Sequence, residues 1–289
     1  MGAGLRREKR KCFSMQSRTK WYLVLPLAGL VLASTGCSKL RARDQLNKGV
    51  RAFKSAQFNE AIEHFKNAVA LDPSLVNAQL YLATAYQSQF IPGAPSEDNL
   101  RMGEQAVDEY QTILKSHPDN VNAVAGLASL YYGLSKFDLA KQYYQKQVDL
   151  EPSNPVPYYS IGSIDWTLTF QPRMAARAAA GIGDQAQPFV SGKKPSKEAL
   201  QACEQVREKN LPLIEEGLKD LQKALDLRSD YSDAMQYVNL LYRERADVSC
   251  TDPAARTADL KMADEWADKA LKARQEETLK AQQAPSTAK

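Results

Sequence analysis

Pro118 and Pro152 stand 34 residues apart, and the segment ending at Pro152 is built on the same ladder as the one ending at Pro73. In residues 44–75 the ladder is Gly49, Phe53, Phe58, Ala61, Phe65, Ala68 and Pro73. In the later segment it is Leu127, Ala128, Tyr131, Phe137, Ala140, Tyr144 and Pro152. A period of this length holds two short helices and a turn. Small residues such as Gly49, Ala61, Ala128 and Ala140 let two antiparallel helices approach closely, and Phe58, Phe65, Phe137 and Tyr144 fill the space left between them. Asp72-Pro73 and Glu151-Pro152 end the second helix, because proline disfavours helical geometry in the residue before it. One such hairpin cannot bury its own apolar face, so neighbours must stack into a continuous core.

Fainter copies complete the pattern. Leu82, Ala83 and Tyr86 mark the first helix of another unit, and Ala106, Tyr110 and Pro118 its second, with about eleven residues inserted. Ile161 and Gly162 open a fourth unit whose second helix, around Gly217, Leu221 and Ala224, comes after a long insertion. A degenerate fifth begins near Ser232, with Tyr242, Ala263 and Ala270. The ladder resembles the tetratricopeptide repeat. That resemblance implies an all-α, right-handed superhelical array of antiparallel helix hairpins over residues 42–274, with units near 42–75, 76–120, 121–154, 155–231 and 232–274. The first helix of each unit would line the concave side. The abundance of Ala, Leu, Gln, Lys and Glu, all strong helix formers, agrees.

The N-terminus reads as an address. Residues 16–37, QSRTKWYLVLPLAGLVLASTGC, place basic Arg18 and Lys20 before 13 mostly apolar residues from Trp21 to Ala33. This is the layout of a secretory signal peptide over 1–36, and the run is short for a membrane span of ~20 residues. Met15 is the expected start of translation. Ser34-Thr35-Gly36-Cys37 resembles the lipobox of bacterial lipoproteins, with Ser34 where that pattern prefers Leu. The resemblance implies diacylation of Cys37, a lipidated linker over 37–41, and an outer-membrane lipoprotein facing the periplasm of a bacterial envelope. The competing readings are an uncleaved anchor and a cleaved signal with an unmodified thiol. The 38 Lys and Arg exceed the 34 Asp and Glu, but seven of the basic and one of the acidic residues lie in 1–36. Residues 37–289 carry 31 basic against 33 acidic residues, so no basic face argues for nucleic acid.

Two segments depart from the plain repeat. Phe90–Ser96 reads as a turn-rich loop before a helix capped by Ser96 or Asp98. The insertion 167–210 reads as Gln171-Pro172-Arg173, an alanine-rich helix over 174–180, a loose stretch and a helix over 196–209, and it is either a family-specific feature or an ordered spacer. With Cys37 lipidated, Cys203 and Cys250 remain in an oxidising compartment, either as a disulfide or as two buried thiols. Residues 275–289 read as a disordered tail.

Nothing assembles into a catalytic centre. His64 and His117 have no metal partner at ligand spacing, there is no Gly-rich phosphate loop or nucleophile elbow, and Glu215-Glu216 falls on a solvated helix face. The expectation is a non-enzyme without metal, cofactor or small-molecule substrate. By the repeat resemblance, ligand-facing positions on first helices include Phe53, Lys54, Leu80, Thr84, Asn122, Ser129, Tyr132, Tyr159, Ser163, Trp166 and Arg243. Val50, Thr84 and Ser129 stand where the chaperone-binding subfamily would have asparagine, which disfavours a terminal-carboxylate clamp. Phe53, Tyr132, Tyr159 and Trp166 point instead to an aromatic groove for an apolar or extended segment, unless they pack against the insertions or the next repeat. Lys141 is expected to face outward. The chain thus reads as a lipid-anchored scaffold for a protein or peptide; the alternative is a component of an envelope machine for outer-membrane protein assembly or pilus or secretion biogenesis.

Overall fold

The computed structural model describes residues 24–182, 189–190 and 196–283, with side chains from Cys37 onward. The basic part of the leader and the last six residues lie outside them. Among the described residues there are ten α-helices and no strand: α1 (Val24–Lys54), α2 (Phe58–Leu71), α3 (Val76–Gln89), α4 (Glu97–Ser116), α5 (Val121–Gly133), α6 (Phe137–Leu150), α7 (Pro155–Ala179), α8 (Lys197–Leu227), α9 (Ser232–Asp247) and α10 (Pro253–Gln283). Within the units, α1 packs on α2, α5 on α6, α7 on α8 and α9 on α10 as antiparallel hairpins. None of the described helices is long and apolar enough to cross a membrane. The chain forms two compact units, Met1–Tyr81 and Leu82–Lys289, that divide within α3.

Local chemistry sets the helix ends. Asp72, His117 and Glu151 close α2, α4 and α6 by leaving helical geometry (φ −147°, −135° and −134°), and each precedes a proline. The side chains of Ser96, Asn120, Asn154 and Ser196 accept a backbone N–H in the first turn of α4, α5, α7 and α8. The tight turns inside the α1–α2 and α5–α6 hairpins put Ala56 and Ser135 at φ 56°. Each is bridged by a hydrogen bond across it, Gln57 N to Ala52 O and Lys136 N to Tyr131 O, the arrangement glycine usually serves.

In the first unit, Gly49 of α1 lets Phe65 of α2 lie flat against the backbone: a Cβ there would sit 2.5 Å from the ring. Phe65, fully buried, also stacks on Tyr81 at 5.4 Å. In the second unit Gly162 does the same for Leu221, again at 2.5 Å. Burying side chains such as Ile113, Leu127, Ile214, Leu221 and Leu241, all under 2% exposed, stabilises by roughly 1.5–3 kcal/mol each.

Three expectations change. The 167–210 insertion is no separate module: α7 runs unbroken through Pro172 to Ala179, and α8 runs unbroken through Pro212. The two therefore form one lengthened hairpin. Proline removes one backbone bond and crowds the preceding turn, and here packing of one long arm on the other overrides it. The buried Asn210 amide donates to Thr169 O at 2.8 Å beside the disturbed turn. Gly181 (φ 74°) is the glycine that ends α7, with Ile182 N donating to Arg177 O. Residues 275–283, expected in a loose tail, continue α10. Glu277 accepts from Ser232 and Arg228, and Arg274 donates to Asp233, which holds that polar helix on α9 and the end of α8. Residues 37–41, expected as a linker, lie within α1.

Candidate functional site

Successive first helices of the second unit carry a strip of aromatic rings. Tyr132 of α5 meets Phe137 edge-on at 5.8 Å. Tyr159 of α7 packs between Tyr231 and Tyr237, at 4.9 and 5.6 Å. Tyr237 of α9 meets Trp166 at 5.6 Å, Trp166 stacks on Phe170 at 5.0 Å, and the Arg173 guanidinium lies 5.3 Å from the Phe170 ring. Burial, then neighbouring tyrosines and Asp233, hold the Tyr159 hydroxyl far above the usual phenol range. Burial and Tyr132, which faces it, raise Tyr237 as well. Trp166, Phe170, Leu240 and Leu260 wall a cavity of about 290 Å³ whose other side is Arg243, Arg256 and the Arg173–Glu244–Asp247 group. Arg243 is tied to Asn239 and, at 2.7 Å, to the exposed Asp264, while Arg256 Nε is buried without a hydrogen-bond partner.

Residues 121–154, which are α5, α6 and their flanks, match the family model described as tetratricopeptide repeat. A crystal structure of the MamA protein superposes with a TM-score of 0.53 at 14% identity, over 86% of this chain and 98% of that one. MamA from Desulfovibrio magneticus RS-1, residue 41 to its end, gives 0.53 at 16% identity over 82% and 96%. The fold is that of the tetratricopeptide-repeat proteins. At that identity the likeness is one of fold. No curated protein sequence matches the chain.

Within the repeat frame the expected ligand-facing residues separate. In the first unit Lys54 is exposed, whereas Phe53 and Leu80 are half-buried, Phe53 edge-on to Phe58 at 5.3 Å. In the second unit Asn122, Ser129, Tyr132 and Arg243 are exposed, and Tyr159 and Trp166 present part of their rings. Thr84 is half-buried against the Tyr110 hydroxyl at 3.3 Å. Ser163 does not line the groove: it is 4% exposed and donates to Ser160 O in its own helix, because α7 buries that face on α8. Phe170, Tyr237 and Arg256 complete the strip and cavity. Their signal was weak, since Phe170 falls where a break was expected.

Behind the strip lies a buried charged lock. Arg173 makes a two-pronged contact with Glu244, at 2.6 and 2.9 Å, and reaches Asp247 at 2.7 Å. Arg177, with no exposed surface, donates to both Asp247 oxygens at 2.9 Å. The Phe189 amide donates to Asp247 too, at 3.1 Å. Cys203 and Cys250 are joined as a disulfide next to it, with Cα atoms 5.8 Å apart. The lock and the disulfide tie the far end of the α7–α8 hairpin to the end of α9.

A second charged group lies deeper in the stack. Lys141 of α6 does not face outward: its ammonium contacts Asp165 of α7 at 2.6 Å and Glu216 of α8 at 3.1 Å. Glu216 is therefore half-exposed and engaged rather than freely solvated. Burial, partly offset by Lys141, pushes Asp165 up to about 7, and burial with the Glu216 charge pushes Asp220 up to about 6. The folded chain keeps protons that the unfolded chain releases near 3.8. Their contribution to stability is therefore full below that value and lost as pH rises toward 7. We expect melting temperature to fall between about pH 4 and pH 7, and the slope to flatten in Asp165→Asn. An equal slope in that variant would refute the assignment.

Proposed function

We propose that this chain is a non-catalytic scaffold that holds a protein partner against the aromatic strip of α5, α7 and α9. The observation that carries the reading is the convergence of Tyr132, Tyr159, Tyr237, Trp166 and Phe170 from three first helices onto one strip with an arginine-walled cavity at its end. Rigid aromatics supply contact area at little entropic loss, and Trp, Tyr and Arg dominate binding hot spots. Arg243 is available for exchange, because an exposed ion pair such as Arg243–Asp264 contributes ~0–1 kcal/mol. The occupant that fits is an extended segment with an apolar side chain for Trp166 and Phe170 and a carboxylate for Arg243 and Arg256. Cys37, exposed and outside the disulfide, carries the lipid that would place this scaffold on the periplasmic side of a bacterial outer membrane.

The test is photo-crosslinking in cells from Tyr132 and Trp166, with exposed Gln145 on α6 as the control. Discrete adducts from the first two and none from Gln145 are expected. With the captured partner, Trp166→Ala should weaken binding by about thirtyfold, the loss of one hot spot of ~2 kcal/mol. Adducts equal at all three positions, or none, would move the working surface elsewhere.

A further inference from the structure

The Lys141 cluster gathers three carboxyl groups from two helices. Asp165, Glu216 and Asp220 each bring a carboxylate oxygen to within 4.8 Å of the others, with the Lys141 ammonium on Asp165 and Glu216 and Lys219 near Asp220. That ammonium takes Asp165 through Oδ1. Oδ2 of the same carboxylate is buried and accepts no hydrogen bond, on a side chain with no exposed surface. It lies against α8 at Gly217, where a Cβ would stand 3.4 Å from Oδ2 and 3.0 Å from the Asp165 Cβ. A glycine thus opens the space in which the carboxylate reaches α8, beside Glu216 and one turn before Asp220. A buried carboxylate oxygen without a partner is strongly disfavoured unless a proton or a cation meets it.

We propose that Asp165, Glu216 and Asp220 form a binding site for a divalent cation of the calcium class. All three donors are carboxylate oxygens, the set that hard cations take, and among the described residues no His or Cys, the ligands zinc favours, joins them. Calcium–oxygen contacts of about 2.4 Å span oxygens up to twice that far apart, while magnesium's ~2.1 Å octahedron needs a tighter set. Glu216 is 53% exposed and gives the ion a route from solvent. The ion would join α7 to α8 where Lys141 joins them to α6, so occupancy stiffens the stack behind the aromatic strip.

The experiment is thermal unfolding of the full chain, stripped with chelator, in calcium chloride, in magnesium chloride and in sodium chloride of equal ionic strength. At about 10 mM calcium a site of roughly submillimolar affinity raises the melting temperature by about 4 °C, and sodium does not. Asp165→Asn and Asp220→Asn each abolish the rise; Asp220 is only partly buried, so that variant folds even if the other does not. Lys141→Met enlarges the calcium shift, because it removes the competing ammonium, whereas a purely internal ion-pair network predicts only lower stability with no calcium response. The proposal is overturned if wild type and Lys141→Met show no shift beyond sodium chloride, or if the shift survives both asparagine variants. An equal rise with magnesium would overturn the choice of calcium.

Discussion

Arg173→Ala is expected to lower the melting temperature by about 10 °C, the consequence of losing roughly 3–5 kcal/mol. The magnitude comes from the groups left behind. Arg173 supplies both hydrogen bonds to Glu244 and one to Asp247, and Glu244 is 2% exposed. Without the guanidinium, Glu244 is a buried carboxylate that has lost both hydrogen bonds and its nearest counter-charge, with only Arg177 left to act on it, while Asp247 keeps Arg177. Replacing both members of the first pair, as Arg173→Met with Glu244→Met, should restore most of the loss, because two apolar side chains of similar volume incur no desolvation of charge. Thermal unfolding of the three variants checks this. A double variant as unstable as Arg173→Ala would mean that the ion pair itself is net stabilising, and that the loss does not come from a stranded Glu244.

The legible part of this fold was whatever the repeat ladder wrote locally. Proline after Asp72, His117 and Glu151, small residues at Gly49 and Gly162, and aromatics at Phe65 and Tyr144 each act within one hairpin, so spacing exposes them. The α7–α8 hairpin was misread because its Pro172 and its Ala-rich run look like a break and a spacer. Only the opposing α8, with Asn210 on Thr169 O, makes that stretch continuous. The lock was hidden for the same reason: Arg173 and Arg177 share one face of α7, and Glu244 and Asp247 one face of α9, but about 70 residues separate the partners. Tyr132, Tyr159 and Trp166 were readable as neighbours on one aromatic strip because their position within the repeat decides which face they take. Asp165 was not: its importance arises from burial between three helices, a property of the stack and of no single segment.

Reducing the Cys203–Cys250 bond should cost about as much as breaking the lock. Its cysteines are 47 residues apart in sequence, and opening a loop of that length returns roughly 4 kcal/mol of chain entropy to the unfolded state, or about 10 °C in a chain of this size. Cys203 is fully buried near the start of α8, and Cys250 sits at φ 49° in the turn between α9 and α10. The bond therefore anchors the same end of the hairpin that Arg173 and Arg177 hold through Asp247. Two tethers at one end are coupled: once either is cut, the other alone must order the arm, so the combined loss in Arg173→Ala with Cys203→Ser and Cys250→Ser should differ from the sum of the separate losses. Dithiothreitol is expected to lower the melting temperature of the wild type and leave that of Cys203→Ser with Cys250→Ser unchanged. Alkylation of both cysteines in the denatured, unreduced protein would instead show that the thiols are free. The stability of the arm, and of the cavity wall that Arg173 builds, would then rest on the charged lock alone. A bond that forms makes the arm's rigidity depend on an oxidising compartment, the setting that a secretory leader ending just before Cys37 would supply.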